Sequence, residues 1–182
     1  MLRRLPRRLA GVTLAETLAV VAILSLAAAI AIPQASSVTP QVADAAAAEV
    51  AHAIRFAQRE AMRTGVYHVA EINPATQSIR VFRLASPASS EDPDPVMHPV
   101  YKQPYRISLA SNGARAIVTG AVFTYGAEKT GSVAFGADGA PLKFLNGQSP
   151  SVALSSDGVV GLQAGNILRT VTVERITGRV SL

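Results

Sequence analysis

Glu16 is the only charged residue in an apolar run that extends from Val12 to Ile32. The other polar residues of this run are Thr13, Thr17 and Ser25. A carboxylate at the centre of a bilayer costs about 2.5–3.5 kcal/mol and less near the interface. The cost falls when a cation lies close. The chemistry that this residue indicates is therefore ionic pairing with a cation.

Three arginines, Arg55, Arg59 and Arg63, recur at every fourth position of segment 41–64. If the segment is a helix, they share one face, and like charges at this spacing repel by a few tenths of a kcal/mol. Two interpretations stay open. The arginines form a solvated face that Glu60 helps to neutralise, or a stripe that contacts acidic groups of a neighbouring subunit or phosphates.

No group of residues in the sequence predicts catalysis or metal binding. The three histidines, His52, His68 and His98, fall on different predicted elements, and the chain has no Cys. The absence of Cys excludes disulfides and thiolate metal sites. The acidic stretch 91–95, "EDPDP", has prolines that keep its carboxylates on an extended chain without a turn to surround a cation. Nucleophile-elbow, P-loop and dinucleotide-binding patterns are missing too. We therefore expect no enzyme, no metal site and no cofactor.

The net charge of +5 is mostly a property of the first residues. Four of the 17 basic residues, Arg3, Arg4, Arg7 and Arg8, precede the apolar run, and no acid lies among them. Residues 12–182 then carry 13 basic and 12 acidic side chains. The charge balance therefore gives little support to a nucleic-acid-binding surface.

The elements that position Glu16 and the arginines are predicted from periodicity. As a helix, the 21 residues from Val12 to Ile32 would extend about 31 Å, which matches the hydrocarbon layer of a bilayer. The leading arginines place the N-terminus in the cytoplasm by the positive-inside rule. A plain membrane anchor and a cleaved secretory signal, with Leu18–Ile32 as its apolar region, are the alternatives.

Segment 41–64 has apolar residues at helical spacing and a stop at Gly65, so we predict that it continues the first helix and packs on a sheet. Segments Val66–Ile72 and Ser78–Leu84 flank the turn formers "NPATQ" and predict a hairpin. The predicted fold class is α+β, a long N-terminal helix packed on an antiparallel β-sheet domain. Further strands are predicted over Arg106–Leu109, Ala116–Tyr125, Ser132–Phe135, Val152–Ser155 and Ile167–Arg175, with a short final strand after Gly178.

The N-terminus, "RRLAG" followed by "VTLAE", resembles the prepilins of the type IV pilin superfamily. The resemblance implies cleavage by a prepilin peptidase between Gly11 and Val12, and N-methylation of Val12. It also implies that Glu16 recognises a terminal amine during assembly and that Pro33 kinks the helix, as proline does by removing a backbone donor. The sequence departs from the family at Val12, where Phe is usual.

The stretches "FAQREAMRTG", "AFGADGAP" and "VTVERITGRV" are similar to the GspH/FimT branch of the pseudopilins. One role in this branch is that of a minor pseudopilin in type II secretion, and the other is that of a minor type IV pilin that binds DNA through a C-terminal Gly-Arg-x-Arg. Gly178 and Arg179 match this pattern, but Ser181 replaces the second arginine. The secretion role is therefore the prediction, with Arg55, Arg59, Arg63 and Arg179 as subunit or DNA contacts.

The resemblance implies four segments: a leader (1–11), a transmembrane assembly helix (12–33), its amphipathic continuation (34–64) and a periplasmic β-sheet domain (65–182). The implied location is the bacterial inner membrane, single-pass, with the N-terminus cytoplasmic and the C-terminal domain periplasmic. The implied partners are major and minor pseudopilins, the prepilin peptidase and the inner membrane. A DNA-binding minor pilin and, behind it, a soluble periplasmic protein with a cleaved signal stay as alternatives.

Overall fold

A computed structural model of the chain describes residues 13–31, 39–85, 90–92, 94–109 and 116–182. The chain divides into two compact units, Met1–Val38 and Thr39–Leu182. The described part of the first unit is helix α1, Leu14–Ala31. The second unit contains helix α2, Thr39–Thr64, and ten β-strands. Gly11, Val12 and Pro33, for which cleavage, methylation and a kink were predicted, lie outside the described residues.

Helix α1 has 18 residues, which is shorter than the predicted span of 21. Over the described part of the chain, no helix combines the length and apolar character needed to cross a membrane. The predicted single-pass inner-membrane location, with a cytoplasmic N-terminus and a periplasmic C-terminal domain, is therefore wrong.

Helix α2 has recognisable start and stop signals. Pro40 lies in its first turn, where a missing backbone donor costs nothing. At the other end, the Gly65 N–H donates to the Ala61 carbonyl at 2.9 Å, and Gly65 takes a φ of +69°, which is a glycine-type helix end. The buried face of α2 consists mainly of small residues, namely Ala43, Ala46, Ala47, Val50, Ala53, Ile54, Ala57 and Ala61.

The strands form two antiparallel sheets of five strands each. The first sheet has the order β3-β2-β1-β6-β7, and the second has the order β10-β9-β8-β4-β5. Helix α2 packs against strands of both sheets, and its small residues let both approach closely. The strands are β1 His68–Asn73, β2 Ser78–Arg83, β3 Arg106–Ser108, β4 Ala116–Tyr125, β5 Glu128–Thr130, β6 Ser132–Phe135, β7 Pro141–Leu142, β8 Gly158–Ala164, β9 Ile167–Val173 and β10 Val180–Ser181.

The predicted fold class, one long N-terminal helix on a sheet, is wrong. Within the described residues, two shorter helices are present, and more residues lie in the strands of the two sheets than in the helices. A physical reason is Pro40 in the first turn of α2, Thr39–Thr64, because proline is favoured at a helix start and gives α2 a start signal of its own.

The strand predictions had mixed outcomes. The hairpin prediction is confirmed, since β1 pairs with β2 from His68 opposite Arg83 to Asn73 opposite Ser78. The predicted strand Val152–Ser155 is wrong, because only Ala153 makes an isolated bridge there, to Leu142. Strand β8 was not predicted, although it is the central strand of the second sheet.

Candidate functional site

The first candidate surface is formed by the side chains of residues 14–27 of α1, and we call it the assembly surface. All side chains described on this helix, those of residues 14–27, are exposed. A helix that is apolar on all sides is normally surrounded by other apolar groups, and an exposed apolar surface of this kind marks an interaction site. The large apolar residues of the assembly surface are Leu14, Leu18, Val20, Val21, Ile23, Leu24 and Leu26.

Glu16 lies in the first turn of α1, where it has a local role that the sequence analysis missed. The backbone N–H of Glu16 donates to Thr13 Oγ1 at 3.3 Å and to the Thr13 carbonyl at 3.1 Å, so Thr13 caps the helix. The spacing Thr-x-x-Glu is typical of a capping box. A carboxylate in this turn also interacts favourably with the helix dipole, by about 0.3–1 kcal/mol. Glu16 thus has a structural reason to be present beside any recognition role.

The second candidate site, the arginine pocket, lies between α2 and the turn that joins β9 to β10. It brings together Arg55 and Arg59 of α2 with Arg179, which follows β9 by six residues. The sequence predicted Arg63 as a further member of this group, but it is not among the residues that line the pocket. The lining residues are Arg55, Gln58, Arg59, Glu174, Thr177, Arg179 and Val180.

Two side chains of α2 hold the β9–β10 turn in place. Gln58 Nε2 donates to the carbonyls of Gly139 and Thr177, both at 2.9 Å. Arg55 Nη2 donates to the Val180 carbonyl, also at 2.9 Å. The guanidinium of Arg55 is therefore partly used in the fold, whereas Arg59 and Arg179 are exposed.

Gly178 lets the turn approach α2. It is buried and has a φ of +69°, a backbone conformation that glycine adopts without strain. A Cβ at this position would lie 2.7 Å from Gln58 Nε2, 2.7 Å from the Gly139 carbonyl oxygen and 2.9 Å from the Phe135 ring. The "TGR" sequence therefore has a packing reason, and its consequence is the placement of Arg179 beside α2.

The arginine pocket has an excess of positive charge. Its one lining carboxylate, Glu174, accepts a hydrogen bond from Thr177 Oγ1 at 2.6 Å. Within the described residues, no acidic side chain forms an ion pair with Arg55, Arg59 or Arg179. Guanidinium groups bind carboxylates and phosphates with two parallel hydrogen bonds, so the pocket is suited to an anionic group.

Arg63 has a different environment from the other arginines. Its Nη2 lies 2.5 Å from Glu60 Oε2, and the hydrogen bond from Arg63 is the main reason that the pKa of Glu60 is lowered. This pair borders a second pocket of about 440 Å³, which His68, Arg83 and Asp94 also line. The interpretation of Arg63 as a charge partnered by Glu60 is therefore the one that the contacts support.

His68 is a buried titratable group at this second pocket. Its Nδ1 lies 2.8 Å from the Val66 carbonyl, which fixes a proton on that nitrogen. Burial is the largest effect on its pKa and lowers it below the usual 6.5. Because the unfolded chain then binds a proton that the folded chain resists, stability is complete above about pH 6.5 and falls as the pH drops below it.

We expect His68→Asn to flatten the pH dependence of stability between pH 6.5 and 5. Asn keeps a donor near the position of Nδ1 but does not titrate. In the natural chain the loss per pH unit has an upper limit of about 1.4 kcal/mol, the value for one proton. Urea denaturation across this range measures it. His52→Asn, a change at an exposed residue of α2, serves as the control. If the free energy of unfolding of His68→Asn changed with pH as steeply as that of the natural chain, titration of His68 would not be the cause of the pH dependence.

The acidic stretch 91–95 is held on strand β2 by ion pairs. Glu91 lies 2.8 Å from Arg80, and Asp92 lies 2.8 Å from Arg83, which also contacts Asp94 at 3.2 Å. The Asp94 N–H and the Arg83 guanidinium lower the pKa of Asp92. These carboxylates therefore have protein partners. In the described part of the chain, no three histidine or acidic side chains converge as metal ligands would.

The structure thus has two candidate binding surfaces, namely the assembly surface for apolar groups and the arginine pocket for an anionic group. The first is apolar and surrounds a helix, and the second is cationic and bordered by a fixed turn. When the chain is compared with known proteins, no protein family, no curated protein and no solved structure matches it.

Proposed function

We propose that the chain is a minor pseudopilin of a type II secretion system, a subunit that assembles through α1 into the filament that drives protein export. The observation that carries the proposal is the assembly surface, on which all described side chains are exposed. The prepilin-like N-terminus, with Gly11 before Val12 and Glu16 five residues later, supports the same role. The role is structural and requires no catalytic residue.

The assembly surface favours a site inside a bundle of helices. Burying a Leu, Ile or Val side chain contributes about 1.5–3 kcal/mol. The large apolar residues of α1 do not follow one stripe, because Val20, Val21, Ile23, Leu24 and Leu26 occupy several directions around the axis. A single partner would cover only part of them, whereas similar helices on several sides would cover them all.

Each part of the chain has a place in this proposal. A prepilin peptidase cuts after Gly11, and the new amine on Val12 is methylated. Helix α1 then packs among the corresponding helices of major and minor pseudopilins, and Glu16 pairs with a terminal amine in that bundle. The unit Thr39–Leu182 supplies the contacts that differ from one subunit to another.

We expect a thiol on the assembly surface to crosslink the chain to other filament subunits in cells. The chain has no Cys, so Leu18→Cys introduces a single thiol, and a short bismaleimide joins it to cysteines placed on the first helix of the other pseudopilins. Leu168→Cys is a matched control, since Leu168 in β9 is 65% exposed and Leu18 is 62% exposed. Strong crosslinking at Leu18 and weak crosslinking at Leu168 is the expected result. Equal yields, or a yield at Leu168 alone, would contradict assembly through α1.

The arginine pocket favours a second candidate function, that of a DNA-binding minor pilin. Arg179 is the residue that matches the DNA-binding pattern of the resembling pilins, and it lies with Arg55 and Arg59 in the arginine pocket. Ser181 in place of a second arginine weighs against this function. A salt-dependent mobility shift with double-stranded DNA tests it, because phosphate contacts weaken steeply with salt.

A further inference from the structure

We propose that the arginine pocket binds an acidic segment of a protein partner, with a carboxylate of that segment on Arg59 and Arg179. The proposal concerns the unit Thr39–Leu182 and does not depend on assembly through α1. It starts from a contrast among the arginines of this unit. Arg63, Arg80, Arg83 and Arg169 have carboxylate partners. The guanidiniums of the arginine pocket form no ion pair with described residues, and neither do those of Arg106 and Arg175, but only the pocket brings three such arginines together.

The side chains around Arg59 and Arg179 are fixed before a partner arrives. Arg55 is anchored on the Val180 carbonyl and Gln58 on the carbonyls of Gly139 and Thr177. The Glu174 carboxylate accepts a hydrogen bond from Thr177 Oγ1, and it forms no ion pair with the guanidinium of Arg59 or Arg179. Fixing these groups in advance lowers the entropy that binding must overcome.

Charge balance favours a protein partner over a nucleic acid. With the four leader arginines and Glu16 set aside, residues 39–182 carry 13 basic and 11 acidic side chains, whereas nucleic-acid-binding domains are strongly basic. The pocket is bounded by Glu174 on the turn itself, which would repel a continuous row of phosphates. A short acidic segment can place one carboxylate in the pocket and avoid this repulsion.

The surroundings of the pocket fit a peptide as well. Ile176, in the same turn, is 66% exposed, and Leu182 at the C-terminus is 68% exposed. Exposed apolar side chains beside buried or fixed polar groups are typical of protein interfaces. The partner segment should therefore combine acidic residues with a neighbouring apolar one.

The test uses the full chain and a fluorescein-labelled peptide in which one glutamate stands beside a leucine among uncharged residues, and binding is followed by fluorescence anisotropy. We expect Arg59→Gln and Arg179→Gln each to weaken binding about tenfold, as loss of a charge-assisted, two-point contact does. Arg59→Lys should weaken it less, because the charge stays and the planar fork is lost. Arg63→Gln and Arg175→Gln are matched controls that remove the same charge outside the pocket from the same helix and the same turn.

Two results would overturn the proposal. Equal weakening by the control and pocket variants would show that the peptide senses overall charge. Tighter binding of a labelled single-stranded DNA than of the peptide, with the same loss in Arg179→Gln, would assign the pocket to nucleic acid. Denaturation midpoints for all variants accompany the titrations, and unchanged midpoints are expected for the two exposed pocket residues.

Discussion

Gly178→Ala is expected to destabilise the unit Thr39–Leu182 by about 2–5 kcal/mol. Part of the loss, about 1–2 kcal/mol, comes from placing a Cβ on a backbone with a φ of +69°. The rest comes from overpacking, since the new Cβ would meet the Gly139 carbonyl oxygen at 2.7 Å and the Phe135 ring at 2.9 Å. Neither neighbour is the free end of a flexible side chain.

Gly65→Ala provides the matched control for this prediction. Gly65 has the same φ of +69°, but no heavy atom lies within 4 Å of its Cβ position. The control should therefore lose only the backbone part, about 1–2 kcal/mol. Urea denaturation of both variants separates the two contributions. If both variants lost the same free energy of unfolding, close packing of the turn on α2 would not be the reason for Gly178.

The hairpin β1–β2 and most of α2 could be predicted because their signals are local. Asn73 accepts hydrogen bonds from the N–H groups of Ala75 and Thr76, which is the turn chemistry that "NPATQ" indicates. Strand β8 was missed because Gly158 and Gly161 weaken its strand pattern. At Gly158 a Cβ would lie 2.3 Å from the Phe123 ring, so the glycine serves packing that no local pattern reveals.

The candidate sites show the same division between local and distant signals. The pairing of Arg63 with Glu60 was readable from their spacing on a helix. The meeting of Arg179 with Arg55 and Arg59 depends on the path of the chain through β8, β9 and β10, which spacing does not encode. The cap at Thr13 has a local signal too, the Thr-x-x-Glu spacing of a capping box.

Glu16 now has two explanations with different consequences. As a residue of the first turn it stabilises α1 by about 0.3–1 kcal/mol, which is a small effect. As the partner of a terminal amine inside a helix bundle, its loss would leave an unpaired buried charge, which costs about 3–5 kcal/mol. The difference between these magnitudes lets substitutions at Glu16 and Thr13 decide between them.

We expect Glu16→Gln to reduce crosslinking from Leu18→Cys to other filament subunits by at least about tenfold, because Gln keeps the size and removes the charge. Glu16→Asp should be intermediate, since the charge stays on a shorter side chain. Thr13→Ala is the control, because it removes the Oγ1 cap and costs about 1 kcal/mol of helix stability while the carboxylate remains. Mass spectrometry checks that each variant still starts at Val12, so that the amine is present. Suppose that Glu16→Gln crosslinks as strongly as the chain with Glu16, whereas Thr13→Ala crosslinks less. Glu16 would then act only in stabilising the start of α1, and it would not be the group that recognises a terminal amine.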